Sequence, residues 1–137
     1  MFVDIDHNNI HLLERFLAVA GESLLSFRYF NKRPLSVIDN HVTTCLLLEN
    51  GDPICYGHLD KEEDIVWLGI AAVEGQTGKG LGRKMMTYLV EKGRELDLPF
   101  IQLSVDLDNV AAQRLYEKFG FTILKKTTHY ILMRLAY

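Results

Sequence analysis

The segment Thr77-Gly78-Lys79-Gly80-Leu81-Gly82 is the part of the sequence whose composition points most directly to chemistry. Glycines at alternate positions let the backbone approach an anion closely, and a helix that follows presents unpaired amides and the positive end of its dipole. Such a loop suits a pyrophosphate group. A glycine-rich turn between a strand and a helix can also exist for tight packing alone, so the surrounding sequence must distinguish the two.

Two common phosphate-binding loops do not match this segment. A Walker A loop requires Gly-Lys-Ser/Thr, whereas Gly82 is followed by Arg83 and Lys84. A dinucleotide fingerprint, Gly-x-Gly-x-x-Gly, follows the first strand of a parallel sheet, whereas here the third glycine comes too early and a hairpin precedes the loop. The sequence therefore disfavours both an ATPase and a Rossmann domain.

The pattern before the loop predicts helices and then an antiparallel sheet. Apolar residues recur at helical spacing from Asn8 to Ala20, and Leu24 to Phe30 reads as a shorter helix or an irregular segment. Residues 43–48 and 54–59 read as strands joined at Asn50-Gly51, a strong hairpin signal. The nearly continuous apolar run 65–73 predicts a central strand buried on both faces.

The pattern after the loop alternates helices and strands. The predicted elements are a helix from Leu81 that ends before Leu98-Pro99, a strand at 100–105, a helix from Asn109 to Phe119, and strands at 121–124 and 130–135. This order predicts helices packed on a mixed sheet. Because no linker interrupts it, we expect one domain over residues 1–137.

Composition narrows the class of protein. The 137 residues are 48% apolar, enough for one substantial core, and the net charge of −3 gives no reason to expect nucleic acid or a membrane as a partner. Cys45 and Cys55 lack the spacing of a zinc site, so we expect two reduced thiols and no metal. Without a basic leader or a long apolar run, the sequence predicts a soluble, cytoplasmic protein.

A second segment, residues 103–121, supplies the context that the glycine loop needs. It reads as a strand, then Asn109, then a helix bearing Tyr116, then Gly120-Phe121. Together the two segments resemble the GNAT superfamily of acetyl-coenzyme-A-dependent N-acetyltransferases, whose loop motif is [Arg/Gln]-x-x-Gly-x-[Gly/Ala]. The resemblance is specific from about Ile65 to Phe121. Thr77 departs from it, standing where Arg or Gln is usual.

The resemblance implies a GNAT-like acyl-CoA N-acyltransferase fold. This is an α+β fold with a central mixed, mostly antiparallel sheet of about six to seven strands, flanked by about four helices. Acetyl-CoA is the implied co-substrate.

The resemblance also implies which residues bind acetyl-CoA. The loop from Thr77 onward would hold the pyrophosphate through the amides of Gly78, Lys79, Gly80, Gly82 and Arg83, with Lys79 and Arg83 adding positive charge. Counting back along the central strand places Ala72 beside the pantetheine arm and Ile70 at the acetyl carbonyl, each acting through its backbone.

Two residues of the second segment take roles by the same resemblance. Asn109 suits a helix cap by residue type, and in the family it also bonds the pantetheine amide. Tyr116 lies seven residues later, about two turns along the same face, and would protonate the departing thiolate. On residue type alone, Tyr116 could equally be part of the core.

A general base is harder to assign. The carboxylate that is frequent in the family corresponds to Val66 here. Asp64, two residues upstream, is the first candidate and His58 the second, while Asp60 lies nearby. These residues could instead be a solvated turn and a surface histidine, and an amine of low pKa would need no strong base.

Phe27-Arg28-Tyr29 falls where the family forms one wall of the acceptor groove. These side chains could hold an anionic or sugar-bearing substrate by stacking and ion pairing, or they could be helix core and surface charge.

The leading hypothesis is acetyl transfer from acetyl-CoA to a primary amine of a small molecule, by direct attack in a ternary complex. An amino sugar is one such acceptor. The alternatives are acetylation of a protein lysine or amino terminus, and a non-catalytic domain that senses acetyl-CoA. A homodimer could form through the apolar strand 130–133 if that strand lies at a sheet edge.

Overall fold

The computed structural model describes residues 1–25, 27–73 and 80–137. Seven strands form one sheet in the spatial order β1-β2-β3-β4-β5-β7-β6. Their bounds are Phe2–Asp4 (β1), His41–Glu49 (β2), Asp52–Glu62 (β3), Ile65–Ala72 (β4), Phe100–Asp106 (β5), Thr122–Lys126 (β6) and Tyr130–Ala136 (β7). All neighbours are antiparallel except β4 and β5, which are parallel, so the predicted mixed, mostly antiparallel sheet is confirmed.

Helices cover both faces of the sheet. The α-helices that the structure describes are His11–Val19 (α1), Leu81–Glu95 (α2) and Val110–Lys118 (α3). The segment between α1 and β2 contains 3-10 helices at Gly21–Leu25, Tyr29–Asn31 and Leu35–Asn40. Of the two alternatives given for Leu24 to Phe30, a shorter helix or an irregular segment, the described residues contain no α-helix and include parts of two 3-10 helices.

The hairpin between β2 and β3 forms at the predicted turn. Asn50 and Gly51 both adopt positive φ, 54° and 83°, as the two central residues of a mirror-image turn require. Cys45 and Cys55 lie on the two strands of this hairpin, and both are free and buried. Their burial raises the pKa of each thiol to about 12, so neither is a thiolate at neutral pH.

Two features of the sheet differ from the expectations. Strand β1 has only three residues, too few for a recognisable alternation, and it pairs with β2 at one edge. Strand 130–133 does not meet the condition set for dimer pairing, because it does not lie at a sheet edge. Strand β7 pairs with β5 on one side and β6 on the other, so the exposed edge is β6, and the proposed route to a homodimer loses its basis.

The two faces of the sheet hold separate apolar clusters. Helix α2 packs Met85, Met86 and Leu89 onto the face that carries Leu59 and Leu68. On the opposite face, α1 packs Leu13 and Phe16 against Leu46, Tyr56 and Ala71. Consecutive residues of a strand point to opposite faces, so β3 serves both clusters.

Strand β4 lies fourth of seven, which confirms the predicted central strand. The expectation that it is buried on both faces is wrong in part, because Trp67, Gly69, Ile70 and Ala72 are only half-buried. They are half-buried because this strand borders a cleft.

Candidate active site

A cleft opens between β4 and β5. The two strands pair at Trp67 and Gln102, and beyond that point residues of β4 and of the end of β5 face each other across a cavity of about 770 Å³. The cavity brings together eleven of the residues predicted from sequence: Phe27, Arg28, Tyr29, His58, Ile70, Ala72, Gly80, Gly82, Arg83, Asn109 and Tyr116.

Alternate backbone amides of β4 face the cleft. The amide of Val73 donates to the carbonyl of Ile54 at 2.9 Å, and the antiparallel register of β3 and β4 continues without a shift from there. Because the N–H groups of a strand point alternately to its two sides, Ala71 and Gly69 also bond towards β3. The amides of Ile70 and Ala72 therefore face the side where β5 has diverged.

The first turn of α2 closes one end of the cleft. Gly80 precedes the helix with φ of 73°, a conformation that favours glycine, and its carbonyl accepts the amide of Lys84 at 3.1 Å. The amides of Leu81, Gly82 and Arg83 therefore precede the first intrahelical hydrogen bond. A Cβ on Gly82 would lie 3.0 Å from the Leu115 side chain, so this glycine lets α2 and α3 approach. Thr77, Gly78 and Lys79 lie outside the described residues.

Helix α3 supplies Asn109 and Tyr116. The Oδ1 atom of Asn109 accepts the amide of Ala112 at 3.3 Å, so the predicted helix cap is confirmed. Tyr116 lines the cleft with its ring 6.0 Å from that of Phe121. Burial raises the pKa of the Tyr116 hydroxyl to about 12, which keeps it protonated and able to donate a proton.

A row of polar side chains lies at the other end of the cleft, where His58 and Asp60 line it. Tyr56, His58 and Asp60 alternate along β3 and therefore share one sheet face, where His58 is 2% exposed and Asp60 4% exposed. His58 Nδ1 lies 2.6 Å from the Tyr56 hydroxyl. No hydrogen bond in the described part of the chain uses His58 Nε2.

Gly69 makes room for the His58 ring. It pairs with His58 across the β3–β4 ladder, and a Cβ at Gly69 would lie 2.5 Å from His58 Nε2. Burial lowers the pKa of His58 well below its ordinary value, and the neighbouring His41 and Arg33 lower it further. His58 is therefore neutral at physiological pH.

A chain of hydrogen bonds ends on Asp60. The Tyr29 hydroxyl donates to Asp60 Oδ2 at 2.8 Å and lies 2.7 Å from His41 Nε2, while His41 Nδ1 lies 2.7 Å from Thr44 Oγ1. The Tyr29 ring also lies 4.4 Å from the ring of His58. Residues from three separate parts of the chain thus converge at this end of the cleft.

The predicted residues of the acceptor wall also reach the cleft. Phe27 packs 5.3 Å from Tyr56 and 6.0 Å from His58, centroid to centroid. Arg28 makes a two-pronged ion pair with Asp106 at the end of β5, at 3.0 and 3.3 Å. This contact links the loop before β2 to the far side of the cleft, so the Arg28 guanidinium is engaged by a carboxylate.

The structure does not bring Asp64 to the cleft. The β3–β4 hairpin turns at Glu63 and Asp64, directly after the last pair of Glu62 with Ile65. Asp64 is exposed in that turn and is not among the residues that line the cleft. Strand β4 begins at Ile65, so Asp64 does not belong to the strand on which its assignment as a base depended.

Sequence reasoning did not identify His41, Thr44, Tyr56 or Asp106 as site residues. The alternation of Tyr56, His58 and Asp60 was a usable signal, because three polar side chains on one face of an otherwise apolar strand need partners. His41 and Asp106 gave no such signal, because only the folded sheet brings them near Tyr29 and Arg28.

Among residues 1–25, 27–73 and 80–137, no group of three or more His, Cys, Asp or Glu side chains could hold a metal ion. Within the same residues, no helix has the length and apolarity needed to cross a membrane.

Comparison with known proteins decides the family. The model of the acetyltransferase (GNAT) family matches residues 7–121. The chain belongs to this family. The resemblance drawn from the glycine loop and the Asn109–Phe121 segment is thereby confirmed.

One curated relative is the spermine/spermidine N(1)-acetyltransferase of Bacillus subtilis, 41% identical over 64 residues. That match covers 45% of this chain and 42% of the relative. The curated relatives that match do so over less than half of their own length.

Solved structures match over almost the whole chain. The ribosomal-protein-S18-alanine N-acetyltransferase of Escherichia coli has a TM-score of 0.78 at 20% identity, covering 99% of this chain and 92% of that one. A Salmonella typhimurium structure, titled as an acetyltransferase with its cofactor acetyl-CoA, has a TM-score of 0.76 at 17% identity, with the same coverage. At these identities the likeness shows the fold.

The cleft residues fit acetyl-CoA by their chemistry. The cleft-facing amides of Ile70 and Ala72 can bond an extended chain carrying amide groups, as a neighbouring strand would. The first-turn amides of α2, with Arg83 beside them, suit a pyrophosphate.

Proposed function

We propose that residues 1–137, as one domain, acetylate a primary amine of a small molecule, with direct attack by the amine in a ternary complex. The observation that supports this proposal most directly is the arrangement of the cleft. Its backbone donors lie at one end, and a buried polar cluster unrelated to those donors lies at the other. Two different molecules can therefore meet between them.

We call the first group the donor side, comprising Ile70, Ala72, the first turn of α2, Asn109 and Tyr116. In this proposal the α2 amides and Arg83 hold the pyrophosphate, as Gly78 and Lys79 of the same loop would, and Asn109 and Ala72 hold the pantetheine arm. The Ile70 amide donates to the acetyl carbonyl as negative charge grows there. Bound acetyl-CoA supplies an activated thioester, and Tyr116 delivers a proton to the thiolate that leaves.

We call the second group the acceptor side, comprising Tyr29, His41, Tyr56, His58 and Asp60. The amine must be neutral to attack, and His58 is placed to take its proton because Nε2 borders the cleft beside Gly69. This requires the tautomer in which Nδ1–H donates to the Tyr56 oxygen. Phe27 and Tyr29 supply aromatic walls for the carbon skeleton of the acceptor.

Among acceptors, the geometry gives no support to an anionic amino sugar. The arginines at the acceptor end, Arg28 and Arg33, already face Asp106 and Glu62 at 3.0 and 3.7 Å. A neutral amino sugar and an aliphatic amine both remain compatible with the aromatic walls. The curated relative that acetylates spermine and spermidine favours an aliphatic amine.

Acetylation of a protein lysine or amino terminus is a second candidate function. The ribosomal-protein-S18-alanine N-acetyltransferase shares the fold, and its name describes a protein substrate. A protein substrate would require that the cleft admit a chain of several residues.

An acceptor screen tests the proposal. Free thiol is followed while acetyl-CoA is offered with aliphatic amines, amino sugars, amino acids and short peptides, and Tyr116→Phe serves as the matched inactive control. We expect thiol release with at least one small amine and little release with the peptides. A protein that binds acetyl-CoA but releases thiol with none of these amines would instead be a sensor domain.

A further inference from the structure

We propose that Asp60 is the binding site for the ammonium group of a cationic acceptor, and that Tyr29, His41 and Thr44 hold this carboxylate ready for it. The inference rests on the proposed function and names the charge class of its acceptor, an aliphatic amine that arrives protonated.

Asp60 is a buried carboxylate without a cationic partner among residues 1–25, 27–73 and 80–137. It is 4% exposed and lines the cleft. None of the salt bridges among the described residues includes it, and its one side-chain hydrogen bond there comes from Tyr29 and reaches Oδ2. A buried ionised carboxylate is costly unless a cation or several donors compensate it, so Oδ1 calls for a positively charged partner.

The hydrogen-bond chain is polarised towards Asp60. The single proton of the Tyr29 hydroxyl is used on Asp60, so the Tyr29 oxygen must accept from His41 Nε2–H at 2.7 Å. Burial lowers the pKa of His41, so the ring is neutral and Nδ1 accepts from the Thr44 hydroxyl at 2.7 Å. Each donor therefore points towards the carboxylate.

The other charges at this end of the cleft are compensated within the protein. The lining carboxylates there are Asp60, Glu62 and Asp106, and the guanidiniums are Arg28 and Arg33. Arg28 pairs with Asp106, and Arg33 faces Glu62 while its guanidinium also stacks 4.3 Å above the Tyr29 ring. Three negative charges against two positive ones leave one negative charge, and it lies at Asp60.

An alkylammonium group satisfies what this site lacks. It brings one positive charge and three N–H donors, of which one can reach Asp60 Oδ1 and another His58 Nε2 two residues away on the same strand face. The Tyr29 ring beside both residues adds a surface that attracts cations. A zwitterionic or phosphorylated acceptor would instead bring an anion towards Asp60.

The decisive variant is Asp60→Asn, which keeps the oxygen that accepts from Tyr29 and removes the charge. We expect kcat/KM for a linear diamine to fall on the order of 100-fold, because a buried cation loses its partner. The KM for acetyl-CoA should stay within about twofold of the parent. The matched control is Asp52→Asn, the same change on the same strand, at an exposed residue paired with Arg15 outside the cleft.

Direct binding separates this inference from the proposed function. Titration of n-butylammonium, followed by the NMR signals of the histidine rings, should show saturable binding in the parent that Asp60→Asn abolishes and Asp52→Asn retains. If Asp60→Asn does not fold, Tyr29→Phe replaces it and should weaken the same binding by about tenfold, through loss of one hydrogen bond to a charged group.

Equal diamine kinetics in the parent and in Asp60→Asn would overturn the inference and leave the acetyltransferase intact. A preference for a phosphorylated amino sugar over the diamine would also overturn it. If no amine causes thiol release, the proposed function is wrong. In that case the cation site would still be supported if n-butylammonium bound to the parent and to Asp52→Asn but not to Asp60→Asn.

Discussion

The donor side and the acceptor side of the cleft are built from different materials. The donor side relies on main-chain amides of β4 and of the first turn of α2, fixed by strand pairing and helix geometry. The acceptor side relies on side chains from β2, β3 and the 3-10 segment, joined by hydrogen bonds of 2.6 to 2.8 Å. A backbone site tolerates sequence change, whereas a side-chain site depends on each residue.

This difference gives the two sides different uses. A co-substrate common to many enzymes can be held by backbone groups that any sequence of the right fold supplies. An acceptor particular to one enzyme requires side chains, whose charges and shapes can vary on the same scaffold. We therefore expect changes on the donor side to affect all acceptors equally, and changes on the acceptor side to affect them selectively.

The largest effect is expected at Tyr116, the one side chain of the donor side to which we give a chemical step. Tyr116→Phe removes the hydroxyl and should lower kcat by about 10²- to 10⁴-fold for every amine. The dissociation constant of acetyl-CoA, measured by calorimetry, should change little. A loss confined to one acceptor would place Tyr116 on the acceptor side instead.

The next-largest effects are expected at Gly69 and Gly57, which lie on opposite faces of the β3–β4 ladder. Gly69→Ala would place a Cβ 2.5 Å from His58 Nε2, whereas Gly57→Ala would place one 2.4 Å from Met85 Sδ on the opposite face. Each should lower the free energy of unfolding by about 1–3 kcal/mol through overpacking.

Only the change at Gly69 should also raise the KM for the amine, because it displaces the ring that borders the cleft. Denaturant unfolding and steady-state kinetics of both variants measure the difference. An equal rise of the amine KM in both variants would show that the faces are not separate.

The donor side and the acceptor side also differ in how far the sequence predicts them. The cleft positions of Gly80, Asn109 and Tyr116 could be predicted because local motifs and element order fix them. The contacts of the acceptor side could not, because Tyr29 meets Asp60 across 31 residues and Arg28 meets Asp106 across 78. Asp64 was chosen from its sequence neighbourhood, but the β3–β4 turn places it outside the cleft.

A third prediction uses the two histidines of the acceptor side. Burial lowers the pKa of both His41 and His58 in the folded protein, so the unfolded chain binds more protons below its own histidine pKa of about 6.5. The free energy of unfolding should therefore fall as the pH is lowered from 6.5, by up to about 1.4 kcal/mol per pH unit for each histidine.

Chemical denaturation between pH 7.5 and 5.5 measures this slope. His58→Gln should make it shallower, whereas His129→Gln, at an exposed residue outside the cleft, should leave it unchanged. On the donor side, Tyr116 should not add to this pH dependence of the free energy of unfolding, because its hydroxyl stays protonated throughout this range. A slope that His58→Gln does not alter would contradict the burial of a neutral imidazole.

The smallest effect is expected at Arg28, which belongs to the wall of the cleft. Its side chain is 54% exposed, and an exposed ion pair contributes about 0–1 kcal/mol. Arg28→Ala should therefore change kcat/KM for a cationic amine by less than about fivefold. The change should be upward if the freed Asp106 attracts the amine. A loss above tenfold, specific to anionic acceptors, would show that Arg28 leaves Asp106 to bind substrate and would reverse the charge class assigned to the acceptor side.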